Sequence, residues 1–129
     1  MKKSLGVITS AALLALSSQA FSAGNVVPEK IWVGGKVYDR AFGRGCGACH
    51  DISSNPNLFE SVKVLSKEEF INVLKNGRNG MPKAVAAIMA VGPVKKAGYS
   101  EDEALEAVYE YVKGRADGSV PEGKLKKAK

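Results

Sequence analysis

One histidine and two cysteines are all that 129 residues contain of those types. Each scarcity excludes something. With His50 alone, no centre in this chain can take two imidazoles, and no second histidine is there to serve a peroxidase as acid and base. With Cys46 and Cys49 alone, a zinc site would lack its remaining ligands, and no thiol is left over for a disulfide or a second metal. Long apolar runs are absent beyond the amino terminus. The longest, residues 84–94, is broken by Gly92-Pro93 and is too short to span a bilayer. No basic stripe is interleaved with aromatics, so nucleic-acid binding is not indicated. No internal repeat and no strand stand out.

What is present is concentrated in one stretch, Cys46-Gly47-Ala48-Cys49-His50. The Cys-x-x-Cys-His spacing is that of a c-type haem attachment site. Two thiols add across the two vinyl groups of one haem, and the next imidazole reaches the iron from the same side. Two intervening residues let one helical turn present all three groups. Cys46 and Cys49 are then the thioether anchors of a single haem c, and His50 its proximal ligand. A thiol–disulfide motif of the Cys-Gly-Ala-Cys kind is the rival reading, but that motif follows a buried strand, and Ala41-Phe42-Gly43-Arg44-Gly45 is no strand.

The first residues read as a cleavable secretory signal over 1–23. Lys2 and Lys3 form a positive start, residues 5–16 an apolar core, and small residues follow, with a cut expected between 20 and 23. Export agrees with covalent haem, which bacteria attach outside the cytoplasm, so a periplasmic location without a membrane span is expected. Loss of Lys2 and Lys3 leaves 17 basic residues against 13 acidic ones, about +4. A surface that steers an acidic partner is compatible with that modest excess.

Along the mature chain, residues 24–32 read as an extended arm, because Pro28 disfavours helix. A helix follows from about Gly35, with Val37/Ala41 and Tyr38/Phe42 four apart. Residues 51–64 read as a loop rich in turn chemistry. Ser66 with Glu69 forms a capping box that starts a helix through Phe70 and Leu74, which Asn76-Gly77 ends. Residues 83–91 suit a short apolar helix stopped by Gly92-Pro93. Ser100 with Glu103 is a second capping box, opening a helix with Ala104, Ala107, Val108, Tyr111 and Val112 on one face and Gly114 at its end. Residues 24–115 make one domain, and 116–129 read as a flexible basic tail.

The iron's sixth position falls to Met81, Met89, a lysine or nothing. Met81 sits between Gly80 and Pro82, in a loop that can aim a side chain, whereas Met89 lies in an apolar stretch where methionine fills core gaps. A thioether opposite the imidazole favours ferrous iron and fills the coordination sphere, which suits electron transfer and not catalysis.

Together these features resemble class I, mitochondrial-type bacterial monohaem cytochromes c over residues 33–114. The matching features are Cys46-x-x-Cys49-His50, Pro56-Asn57-Leu58, the helix of Phe70 to Leu74 ending in Asn76-Gly77-Arg78, Gly80-Met81-Pro82, and the last helix with Tyr111. The resemblance implies an all-α cytochrome c fold, three to five helices around one covalent haem. It implies His50 and Met81 as axial ligands, with the Pro56 carbonyl accepting the proximal Nδ1–H. It also implies Gly35 and Tyr111 at the crossing of the first and last helices, with Tyr38 or Phe42 as the aromatic that packs there. The expected function is one-electron transfer, not an enzymatic reaction. The chain would act as a diffusible shuttle or as a dedicated subunit, monomeric or held in a redox complex. Its partners would be redox proteins such as a periplasmic dehydrogenase, reductase or terminal oxidase. An open-iron sensor or peroxidase-like enzyme is the alternative, and a thiol oxidoreductase the remote one.

Overall fold

The structure, a computed structural model, describes residues 24–129. The signal expected over 1–23, with its cleavage site, lies outside the described residues. Seven α-helices and one two-stranded ladder follow in the order β1 (Val26–Val27), α1 (Glu29–Arg40), a 3₁₀ turn (Ala41–Gly43), α2 (Gly47–His50), α3 (Leu58–Val64), α4 (Lys67–Asn76), α5 (Val85–Met89), α6 (Gly92–Ala97), α7 (Glu101–Asp117) and β2 (Lys126–Lys127). The chain is therefore all-α, as the sequence suggests. Its helices outnumber the expected three to five because residues 51–64, expected as a loop, contain α3, and Gly92-Pro93, expected to stop a helix, opens α6.

Helix α1 starts six residues before the expected Gly35. Pro28 does not prevent it but precedes its first residue, with φ −53° and ψ 152°. A missing N–H costs nothing at a helix start, where it would have no partner. Of the expected arm, only Val26 and Val27 form strand. The buried face of α1, Val33 and Val37, packs on Ala104, Leu105, Ala107, Val108 and Val112 of α7. The crossing depends on Gly34 more than on Gly35. A Cβ on Gly34 would lie 2.0 Å from the Ala107 carbonyl oxygen, whereas one on Gly35 would meet the Tyr111 ring edge at 3.1 Å. Tyr38 is the aromatic at this crossing, its ring 5.5 Å from that of Tyr111. Phe42 has turned outward, 45% exposed, in a left-handed residue conformation (φ 58°) within the 3₁₀ turn.

Both capping boxes form. Ser66 and Glu69 open α4, and Ser100 and Glu103 open α7, each pair exchanging hydrogen bonds. Helix α7 runs past Gly114 to Asp117 and ends at Gly118, whose φ of 83° is left-handed. Gly114 serves close approach instead, since a Cβ there would lie 2.4 Å from Val120 Cγ2.

That contact belongs to the stretch read as a flexible tail, which is folded. Val120 and Leu125 are buried, and Lys126–Lys127 pairs in parallel with Val26–Val27. Two apolar residues five apart carry no helical or strand period, so the sequence pattern shows nothing there. Residues 83–98 also differ from expectation. Gly92-Pro93 opens α6 where a stop was expected, and Ile88 and Val94 are fully buried. On the far side, Glu106 of α7 takes Lys30 of α1 and Lys67 of α4 as ion-pair partners, tying three helices together.

Candidate haem-binding site

The attachment turn is a single helical turn. Cys46 already has helical backbone angles, and its carbonyl accepts the N–H groups of Cys49 at 3.2 Å and His50 at 3.0 Å. Cys46, Cys49 and His50 are thus at i, i+3 and i+4, which share one face of a helix. Gly45, with φ 88°, lets the chain enter the turn. A side chain there would strike the Tyr38 carbonyl oxygen, 2.6 Å from the Cβ position. That same carbonyl accepts the Cys46 N–H at 2.7 Å.

The chain then folds back over the turn. Asn55 Nδ2 donates to the Cys49 carbonyl at 2.8 Å, and His50 Nδ1 lies 2.7 Å from the Pro56 carbonyl, which accepts its proton. This assigns the tautomer and leaves Nε2 as the nitrogen free to ligate. The next residue, Asn57, caps α3 by accepting from the Phe59 and Glu60 N–H groups, so the fold-back is fixed on its far side too. Reading Asn57 as turn chemistry misses that helix, although Asn57 with Glu60 three on has the spacing of a capping box.

The donor set fits haem c. Two thiols and one free imidazole nitrogen stand on one turn, and Phe42 and Ile52, on either side of it in sequence, remain 45% and 50% exposed as apolar surface. The set does not suit a dithiol reagent. A nucleophilic first cysteine needs a lowered pKa and access. Burial, with the Asp39 charge adding to it, instead pushes the Cys46 thiol up to about 11. Among the described residues no cluster of three or more His, Cys, Asp or Glu side chains is placed to hold a metal ion.

Met81 belongs to a second small structure. Arg78 and Met81 exchange backbone hydrogen bonds of 3.2 and 2.8 Å around Asn79-Gly80, whose φ values are 48° and 87°. That is the geometry of a type I′ hairpin turn, for which Asn-Gly is the favoured pair. Gly77 precedes it at φ 74°, and a Cβ there would lie 2.3 Å from the Met81 carbonyl oxygen. The Ala84 N–H donates to the Leu74 carbonyl at 2.8 Å and closes the loop onto α4. Met89 sits in α5 beside buried Ile88. Both methionines are partly buried against the core, and Met81 alone is held in a turn that fixes where its backbone points.

The sequence reading overlooked two residues that hold the turn, Tyr38 and Asp51. Tyr38 Oη donates to Asp51 Oδ1 at 3.0 Å. The signal for Tyr38 is its place four residues before Phe42 on the face that also carries Val37 and Ala41, which marks an apolar face but not a polar partner. Asp51 carries no signal beyond its place after His50.

Comparison with known proteins points to one family. The family model described as cytochrome c oxidase, cbb3-type, subunit III matches residues 34–112. That span runs from the glycine at the α1–α7 crossing through the attachment turn and the Met81 loop into α7. Cytochrome c-555 of Methylococcus capsulatus is 36% identical over 133 residues, covering 98% of this chain and 95% of that protein. No solved structure matches.

Proposed function

The chain belongs to this cytochrome c family, with one covalently attached haem c, and on that premise we propose that it is a diffusible one-electron carrier of the periplasm. The observation that carries the proposal is the single turn presenting Cys46, Cys49 and His50, with the His50 ring oriented by Pro56 at 2.7 Å. When bound, haem c supplies a one-electron couple between ferric and ferrous iron. Cys46 and Cys49 hold it by thioether bonds. His50 would hold the iron through Nε2, and its Nδ1 hydrogen bond to Pro56 would raise the ring's basicity and lock its plane. Met81, held by the Asn79-Gly80 turn, would supply a thioether as second protein ligand. A weak sulfur donor would favour the reduced state, and two protein ligands would leave no position for a substrate.

A diffusible form is favoured over a dedicated subunit. Residues 83–98 and 116–129 build this domain's own core and cover α1, which leaves them no need of a dedicated partner. Among the described residues, no helix is long and apolar enough to cross a membrane. Periplasmic residence is supported by the export pattern of residues 1–23. The partners are redox proteins that donate or accept a single electron through small, transient contacts.

The test is expression in a host competent for c-type maturation, followed by spectra of the oxidised and reduced protein. A c-type reduced spectrum and slow or absent carbon monoxide binding by the ferrous form are expected. Prompt carbon monoxide binding would point to an open iron and a sensor or enzyme. A chain without haem would return the dithiol reading.

A further inference from the structure

Tyr38 lies on α1, eight residues before Cys46, yet it touches both ends of the attachment turn. Its carbonyl accepts the Cys46 N–H at 2.7 Å, and its phenol donates to Asp51 Oδ1 at 3.0 Å. Asp51 directly follows His50. Its own N–H donates to the Gly47 carbonyl at 2.9 Å, and its carboxylate folds back over Gly47, where a Cβ would lie 2.3 Å from Oδ2. The carboxylate is therefore held between the middle of the turn and the Tyr38 phenol.

We propose that Tyr38 is the positioning residue of the attachment turn, fixing Cys46 by its carbonyl and, through the Asp51 carboxylate, tuning the charge beside His50. This rests on the reading of His50 as an axial ligand. The Tyr38 ring is itself immobilised, stacked on Phe59 at 5.5 Å and 26° and lying 5.5 Å from Tyr111 at the helix crossing. A buried phenol requires a hydrogen-bond partner, and Asp51 is the one the structure provides. Burial, together with the bond to Asp51, also pushes the phenol's pKa well above its usual value, so it remains a neutral donor. A donor at 3.0 Å draws negative charge off the carboxylate. Without that donor, fuller charge one residue from the iron ligand would favour ferric iron. The α1–α7 crossing is thereby linked to the ligand turn by one side chain.

Tyr38→Phe keeps the ring and removes the donor. Gly47→Ala leaves both partners in place, but its Cβ displaces the Asp51 carboxylate, the end of a flexible side chain. Potentiometric titration of the holoprotein reads the ferrous-to-ferric ratio at a fixed applied potential. Tyr38→Phe is expected to lower that ratio by at least about threefold, a fraction of the worth of a hydrogen bond to a charged group. Gly47→Ala should shift the ratio in the original chain and much less in the Tyr38→Phe background. In an Asp51→Asn background, Tyr38→Phe should leave the ratio unchanged. An equal shift in the original chain and in the Asp51→Asn background would assign Tyr38 a packing role only and overturn the proposal, as would no shift with Asp51 present. A Tyr38→Phe chain that failed to retain haem would move the comparison to Gly47→Ala, for which no shift is the contrary result. Haem retained with a c-type spectrum leaves the carrier reading intact whatever the ratios are. An unsubstituted chain without haem would remove that reading and this proposal with it.

Discussion

The turn at residues 46–51 is hydrogen-bonded to other parts of the chain, whereas the loop at residues 78–81 is hydrogen-bonded mainly within itself. Cys46 hangs from the Tyr38 carbonyl and Asp51 from the Tyr38 phenol, and Tyr38 is locked between Phe59 and Tyr111. His50 is oriented by Pro56, six residues on. Met81, by contrast, is placed by two hydrogen bonds to Arg78, and one Ala84-to-Leu74 bond closes the loop. A tertiary clamp shares the stability of the whole core, while a local hairpin opens at a cost well below global unfolding. The histidine side should therefore fail only with the fold, and the methionine side should fail separately.

Four substitutions would break or sharpen that contrast. Gly34→Ala strikes the clamp's foundation, because its Cβ would lie 2.0 Å from the Ala107 carbonyl oxygen, which is backbone and cannot swing aside. A loss of about 3 kcal/mol or more is expected in denaturant melts, with haem attachment reduced as well. Leu125→Ala opens the cover over α1 and should cost about 2 kcal/mol, the low end for a core leucine at 9% exposure, with the visible spectrum unchanged. Gly77→Ala strains the backbone at φ 74° and sets a Cβ against the Met81 carbonyl, so it should open the methionine loop at a cost of about 1–3 kcal/mol. Its Cβ is aimed at the Met81 carbonyl, so the far-red iron–thioether band should weaken while the c-type haem remains.

The smallest effect concerns pH and lies away from both loops. Lys30 and Lys67 hold the Glu106 carboxyl down at about 2, from an ordinary 4.5. A depressed carboxylate adds stability that is fully present above its unfolded value and is lost as pH falls toward its folded value. Glu106→Gln should therefore flatten the stability profile between about pH 4.5 and 2, measured by denaturant melts, and leave the visible spectrum unchanged.

The sequence makes the turn of the histidine side legible in part, and Gly80 and Pro82 mark the loop that carries Met81. Cys46, Cys49 and His50 announce one turn because the chemistry dictates their intervals. Ser66/Glu69 and Ser100/Glu103 are visible because capping is local. Tyr38–Asp51 is not visible, since a hydrogen bond across thirteen residues leaves no periodic trace. Nor is Gly34, whose role is set by a carbonyl on α7. The carboxyl-terminal cover was misread because charge dominates its composition, while two well-spaced residues, Val120 and Leu125, do the burying. Gly92-Pro93 reads equally as a stop or a start, and only the buried Val94 beyond it decides for a start.

The most direct test of the account is a denaturant titration of the oxidised holoprotein, following the far-red iron–thioether band and far-ultraviolet circular dichroism together. The band should be present, absent in Met81→Ala and kept in Met89→Ala. In the original chain it should disappear at a lower denaturant concentration than the helical signal, as a locally held methionine loop requires. A band that survives Met81→Ala, or one that vanishes only together with the helices, would contradict the account.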